Sequence, residues 1–504
     1  MMETAKHLTS GRRLARNTAW NLVAQGAPLA VALFAIPTLL HAIGVERFGV
    51  LTLVWALIGY TSLFDLGLGR AMTKLIADRL GRGEPATIAP LFWTGLLLMT
   101  AIGMVGTVIV LLIAPWLVTG ALKISPAVTD ETLSAFRVVA IGIPVVTLAA
   151  GLRGVLEAHQ RFKAIAAVNG FLGAFTFLGP LLAIQYADHL AVMAGVILAS
   201  RAIAAAVYFL LCLRSERFLA RPQFSTGEIW PLLGFGGWMT ITNVVGPVMD
   251  NMDRFILGAL RSVSLVPYYA TPYDIVTRIW LIPNALTGVL FPAFSTALAG
   301  DPKRAANLYM TGVRYILLAL VPVVFLVVLF AREGLNVWLG AEFAATSERI
   351  VQLLAVGVLI NSLAKMPYAL LQAAGRPDLT ARLHLAEVIP YLVVVWWLID
   401  LIGVIGTAIA WTLRVVFDTA LLFLIASRLM PDISRRLGKL ASILAGTLVV
   451  LVLAACMSNI TVKLMIGLLG LIAFAVVARR WLLSTGEVEK MLAHFRPSLS
   501  KPVE

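Results

Sequence analysis

Apolar runs of about twenty residues follow one another along almost the whole chain, divided by short polar or Pro/Gly breaks. They fall at about 18–42, 49–66, 88–114, 135–157, 164–185, 190–213, 231–259, 266–292, 311–332, 350–373, 380–399, 402–427, 441–457 and 463–482. A run of that length suits a helix crossing the ~30 Å hydrocarbon core of a bilayer. Lipid gives backbone groups no partners, so a spanning segment is a helix or part of a closed barrel. The runs lack the period-two alternation of barrel strands. The pattern predicts an all-α polytopic membrane protein with about 14 transmembrane helices.

Composition agrees, with 60% hydrophobic and 13% charged residues against about 25% charged in soluble domains. The net charge of +14 would suit nucleic acid, but its location excludes that partner. Lys and Arg gather in alternate short loops, as the positive-inside rule expects of a membrane protein. One side receives Lys6, Arg12, Arg13 and Arg16; Arg70, Lys74, Arg79 and Arg82; Arg153, Arg161 and Lys163; and Arg214, Arg217 and Arg221. It also receives Lys303, Arg304 and Arg314; Arg376 and Arg382; Arg428, Arg435, Arg436 and Lys439; and the basic C-terminal tail. The other side has only Arg47, Lys123, Arg137, Arg261, Arg332, Arg349 and Lys463. This predicts both termini in the cytoplasm. Cys212 and Cys456 lie far apart in apolar runs and form no disulfide framework or metal-ligand spacing.

The chain also repeats itself. Gly83, Glu84, Leu91, Phe92, Thr94 and Gly95 align with Gly300, Asp301, Leu308, Tyr309, Thr311 and Gly312 at an offset of 217. The text LEAHQR (156–161) aligns with LQAAGR (371–376) at an offset of 215. Two halves of six spans keep the same orientation, because six is even, and so form parallel repeats about an axis along the membrane normal. The expected organisation is an N-terminal six-helix lobe (1–213), an amphipathic interface linker (214–230), a C-terminal six-helix lobe (231–430), and two extra helices with a basic tail (431–504).

No P-loop, HExxH or GxSxG sequence occurs, and the loops are short, so no catalytic residue, metal or cofactor is expected. What needs explaining is charge at membrane depth, which costs about 2.5–3.5 kcal/mol per group on insertion scales. Arg201 and Arg414 sit near the middle of corresponding spans. A guanidinium keeps its charge and grips phosphate oxygens bidentately, so this pair suits an anionic head in a hydrated cleft. Alternatively, each ties down carbonyls or a carboxylate in its own lobe. Asp250–Arg254, Asp274–Arg278 and Arg414–Asp418 have the i,i+4 spacing of self-neutralising pairs. They also suit a switch in which substrate competes for the Arg, or a proton or Na⁺ occupies the Asp. Asp253 has no partner at that spacing, which favours an aqueous position. Lys365 and Glu387 either pair across helices or line the cleft. The cavity candidates are therefore Arg201, Arg414, Arg254, Arg278 and Lys365, with Asp250, Asp253, Asp274, Asp418 and Glu387 as coupling groups. His384 reads as a polar packing group, and Asp65 as fixing the turn before Arg70.

The stretch Leu39–Gly83 joins an apolar run (Phe48 to Phe64) to Asp65-Leu66-Gly67-Leu68 and a basic tail of Arg70, Lys74, Arg79 and Arg82. It resembles the opening of the bacterial polysaccharide transporters, the Wzx-type or O-antigen flippases of the multidrug/oligosaccharidyl-lipid/polysaccharide (MOP) superfamily. The resemblance covers roughly residues 15 to 430. It implies two six-helix lobes about a central cavity, alternating access, and transfer of undecaprenyl-pyrophosphate-linked oligosaccharide from the inner to the outer leaflet of the bacterial inner membrane. Implied partners are the lipid-linked oligosaccharide, membrane lipids and other polysaccharide-assembly membrane proteins. A multidrug or cation antiporter and a lipid-linked peptidoglycan-precursor flippase of the same superfamily stand as alternatives. A membrane enzyme is disfavoured for want of a large outer loop.

Overall fold

A computed structural model describes residues 11–60, 64–215, 219 and 221–479. Lys6, Arg217, Trp481 and the C-terminal tail lie outside the described residues, as do four positions of the expected linker (216–218 and 220). The described residues form sixteen α-helices and no strand. In the first part of the chain these are α1 (Gly11–Tyr60), α2 (Leu68–Arg82), α3 (Ile88–Trp116), α4 (Pro126–Ala158), α5 (Phe162–Ile184), α6 (Leu190–Ser215) and α7 (Ile229–Leu260). There follow α8 (Val266–Val276), α9 (Leu281–Gly300), α10 (Pro302–Leu329), α11 (Ala331–Leu339) and α12 (Ala341–Ala373). The last four are α13 (Pro377–Ile402), α14 (Val404–Leu429), α15 (Pro431–Ala455) and α16 (Ile460–Val477).

A straight helix of 50 residues would run about 75 Å, far beyond a bilayer core of about 30 Å. Gly44 resolves this for α1. Its φ of 79° and ψ of 165° break the helix in a region that residues with a Cβ avoid. Among the described residues, eleven helical segments are long and apolar enough to cross a membrane, with Ala441–Ala455 a shorter apolar helix. The fourteen apolar runs exceed this count for identifiable reasons. The runs at 18–42 and 49–66 meet in α1, the run at 441–457 falls short, and the run at 231–259 lies in α7, which is not among the eleven.

The duplication is written into the backbone. α4 and α12 each span 33 residues, and α6 and α14 each span 26. The turns that follow α4 and α12 carry the same hydrogen bonds, residue for residue. His159, Gln160 and Arg161 donate to Val155, Glu157 and Leu156, just as Ala374, Gly375 and Arg376 donate to Leu370, Gln372 and Leu371. Both turns need a left-handed residue: Gly375 supplies it at φ 71°, while Gln160 adopts φ 56° with a side chain attached. A Cβ there costs about 1 kcal/mol. Gln160→Gly should therefore stabilise the protein by about 0.5–1 kcal/mol, read as a raised melting temperature in detergent.

The described residues fall into two compact units. The first takes those up to Ala270 together with Val388–Thr407, and the second takes Thr271–Glu387 and those from Ala408 on. α7 thus groups with the first unit, and hydrogen bonds at its two ends explain why. Glu228, just before α7, pairs with Arg79, and Lys123 is bonded to the carbonyls of Gly258 and Leu260. The described part of the linker is not helical over 221–225. It is docked on α3, with Trp93 Nε1 donating to the Leu219 carbonyl at 3.0 Å and Thr94 bonded to Ser225.

Cations on the sparsely charged side of the charge map are committed to local work. Arg47 binds Glu131 and Asp188, and Arg261 caps the carbonyls of Ile399 and Asp400. Arg349 caps Ala455, and Lys463 binds both oxygens of Glu333 at 2.9 and 3.0 Å. Positive groups at helix C-termini satisfy carbonyls that have no partner within the helix.

Candidate functional site

The first unit holds a cavity of about 170 Å³ whose polar lining is Asp65, Thr147, Arg153, Asn169, Arg201 and Tyr208. Four structural elements deliver these groups. Asp65 sits in the tight turn between α1 and α2, where its Oδ1 accepts the Gly69 amide at 3.1 Å, so the carboxylate does fix that turn. α4 brings Thr147 and Arg153, the latter paired one turn on with Glu157 at 3.0 Å. α5 brings Asn169, which accepts from the Tyr208 hydroxyl of α6 at 3.2 Å.

Arg201, near the middle of α6, donates from Nη2 to Thr176 Oγ1 at 3.3 Å. Its Nε is buried with no partner, and among the described residues no carboxylate forms an ion pair with it. A cation held by one neutral hydroxyl inside a membrane domain is poorly compensated. With Arg153 already paired to Glu157, Arg201 is the cation of this lining that has no ion pair among the described residues. Sequence reasoning found Arg201 and Asp65 but assigned Arg153 to a loop and passed over Asn169 and Tyr208.

A second polar cluster in the first unit surrounds Asp253, which is 0% exposed and so not aqueous, contrary to expectation. Its carboxylate accepts from the Tyr269 hydroxyl, from the Tyr391 hydroxyl at 3.3 Å and from the Arg254 amide at 2.8 Å. These donors take the place of water. Arg254 is itself only 3% exposed, and Asp250 lies one turn earlier on the same helix.

In the second unit the expected pairs are rearranged. Arg278 is exposed and makes no ion pair with Asp274, because the chain tightens to a 3₁₀ turn over Thr277–Trp280 and carries Arg278 off the shared face. Asp418 faces His384 across helices, Nε2 to Oδ1 at 3.4 Å, in place of Arg414 one turn earlier on α14. His384 also stacks on Tyr368, with centroids 6.2 Å apart and an interplanar angle of 9°. Lys365 lies over the Trp280 ring at 5.4 Å and does not pair with Glu387. Glu387 is 6% exposed, and both of its carboxylate oxygens are buried without a hydrogen-bond partner. Arg201 belongs to the first unit and Arg414 to the second.

A larger cavity in the second unit, about 380 Å³, is lined by α10, α15 and α16 with Thr447 as its one polar side chain, so it cannot grip a charged head. Among the described residues no group of three or more His, Cys, Asp or Glu is placed to hold a metal ion.

Comparison with known proteins gives a consistent picture. The family described as "Polysaccharide biosynthesis protein" matches residues 42–348. A Shigella flexneri protein named as a candidate O-antigen transporter is 30% identical over 411 residues, covering 81% of this chain and 96% of its own. A Haloferax volcanii protein named as a candidate flippase of low-salt glycan biosynthesis is 24% identical over 40% of this chain and 43% of its own. Among solved structures, an inward-facing multidrug resistance MATE family transporter of the MOP superfamily superposes with a TM-score of 0.67 at 14% identity, covering 82% of this chain and 99% of that one. A lipid II flippase in an inward closed conformation gives 0.65 at 12% identity, covering 89% and 99%. At those identities the structural likeness speaks for the fold.

Proposed function

This chain belongs to the polysaccharide biosynthesis family, as a multi-pass Wzx-type transporter and not an enzyme, and on that premise we propose that it flips a polyprenyl-pyrophosphate-linked oligosaccharide across the bacterial inner membrane. The movement runs from the inner to the outer leaflet, by alternating access, with both termini in the cytoplasm. The observation that carries this reading is Arg201, a cation lining a cavity of the first unit and held there by one neutral hydroxyl, with no ion pair among the described residues. A pyrophosphate presents several oxygens and two or more negative charges. A guanidinium in a poorly solvated wall, as Arg201 is, binds such oxygens more strongly than it would in water.

The sugar hydroxyls resist the bilayer as well as the charge does, so a hydrated cleft has to pass the glycan while the cations hold the head. The remaining cations Arg254, Arg278, Lys365 and Arg414 are the proposed further contacts of the anionic cargo. Asp253 with Asp250, and Glu387 and Asp418 beside His384, are the proposed seats of a coupling proton or Na⁺, with Asp274 a further candidate. Glu387 keeps both carboxylate oxygens without a hydrogen-bond donor, which leaves them open to an incoming cation.

Deleting the protein in its host identifies the cargo. A lipid-linked glycan should accumulate on the inner leaflet, and the wild-type chain should clear it. Absence of any such intermediate would overturn the reading.

A further inference from the structure

We infer that Gly49, Lys123 and the end of α7 form a gate that closes the first unit at the side away from the N-terminus, and that it must part for cargo to leave outward. The inference rests on the orientation and two-sided access proposed above. Three segments distant in sequence meet here through main-chain atoms. A Cβ on Gly49 would stand 2.2 Å from the Val263 carbonyl oxygen and 3.2 Å from Pro267, so only glycine lets α1 approach this closely. The Lys123 amide donates to the Gly258 carbonyl at 3.0 Å, and the Val263 amide returns a bond to the Lys123 carbonyl at 3.2 Å. The Lys123 ammonium closes on the Leu260 carbonyl. Beside it, Glu46 takes both the amide and the hydroxyl of Ser125, at 2.7 and 2.8 Å.

The polar half of these contacts can be exchanged for water. Lys123 is exposed, and its bonds serve carbonyls at the end of α7 that water could serve equally well once the segments separate. Leu122, Val263 and Val266 are buried around Gly258, so parting the segments also exposes apolar surface, and the gate opens only when that cost is met by cargo or by the rest of the transition. The contacts also join α1 and the turn after α3 to the first helix of the second sequence repeat.

Thr52, one turn further along α1, is buried and bonded to the Gly49 carbonyl at 2.7 Å, which makes it a reporter behind the seal. The test uses the full chain in cells, with Cys212→Ala, Cys456→Ser and Thr52→Cys, and a membrane-impermeant maleimide applied outside. Gly49→Val should raise the external labelling rate at least about tenfold, because the branched side chain cannot fit the closed state. Lys123→Ala should raise it about fivefold through the lost hydrogen bond, and it keeps the test intact if Gly49→Val fails to insert. Wild-type labelling rates in inserted variants would overturn the gate, as would a rise seen only with reagent on the cytoplasmic face. Labelling needs no cargo. A rise in a protein that moves no lipid-linked glycan would therefore sink the proposed cargo and leave the gate standing.

Discussion

Arg201→Ala should lower transfer of a lipid-pyrophosphate oligosaccharide by about 10- to 100-fold, the equivalent of one hydrogen-bonded charge contact, while insertion and folding are kept. Arg201 makes one hydrogen bond, to a neutral threonine, and no ion pair among the described residues. Its removal strands no opposite charge, so the melting temperature should hold or rise. A structural arginine behaves in the opposite way, because its loss lowers stability first and activity as a consequence. Arg201→Lys should recover part of the transfer, since a point charge remains but the planar fork does not. Transport by Arg201→Ala at the wild-type rate, assayed with purified protein in vesicles, would remove the residue from the pathway.

Glu333→Ala should be the most destabilising single change among the described ion pairs, at about 3–5 kcal/mol. Lys463 is 1% exposed, and its ammonium rests on both oxygens of that carboxylate. Removing the acid leaves a buried cation with its principal partner gone. The double variant Glu333→Met with Lys463→Met should recover most of the loss, because two apolar groups carry no desolvation cost. Thermal unfolding in detergent of the single and double variants measures both effects. Equal stability of Glu333→Ala and wild type would show that the ammonium finds water instead.

These two arginine and lysine sites mark what the sequence could and could not disclose. Periodicity located the helices, since apolar length alone distinguishes a spanning run. The repeated hexapeptide pointed to two turns that proved to share three main-chain hydrogen bonds, residue for residue. Asp65 was legible because its work is local, a cap on the following helix. Charge pairing was not legible in the same way. Spacing of four residues tells which groups can meet on one helix and is silent about rivals from other helices. Thus Asp418 turned to His384, Asp253 found Tyr391 at a separation of 138 residues, and a 3₁₀ turn carried Arg278 away from Asp274. Arg153 was overlooked because a basic residue near a helix end reads as a loop cation. Only the assembled helices show that it lines the same cavity as Arg201.

The central claim, that positive groups inside this unit carry a pyrophosphate head through the membrane, is most directly tested with sealed vesicles containing the purified chain. A polyprenyl-pyrophosphate oligosaccharide placed in one leaflet should become accessible to an impermeant glycosidase on the opposite side. The transfer should require the protein, compete with inorganic pyrophosphate and fall with Arg201→Ala. Transfer that is equally fast in protein-free vesicles, or indifferent to both pyrophosphate and the arginine, would contradict the account.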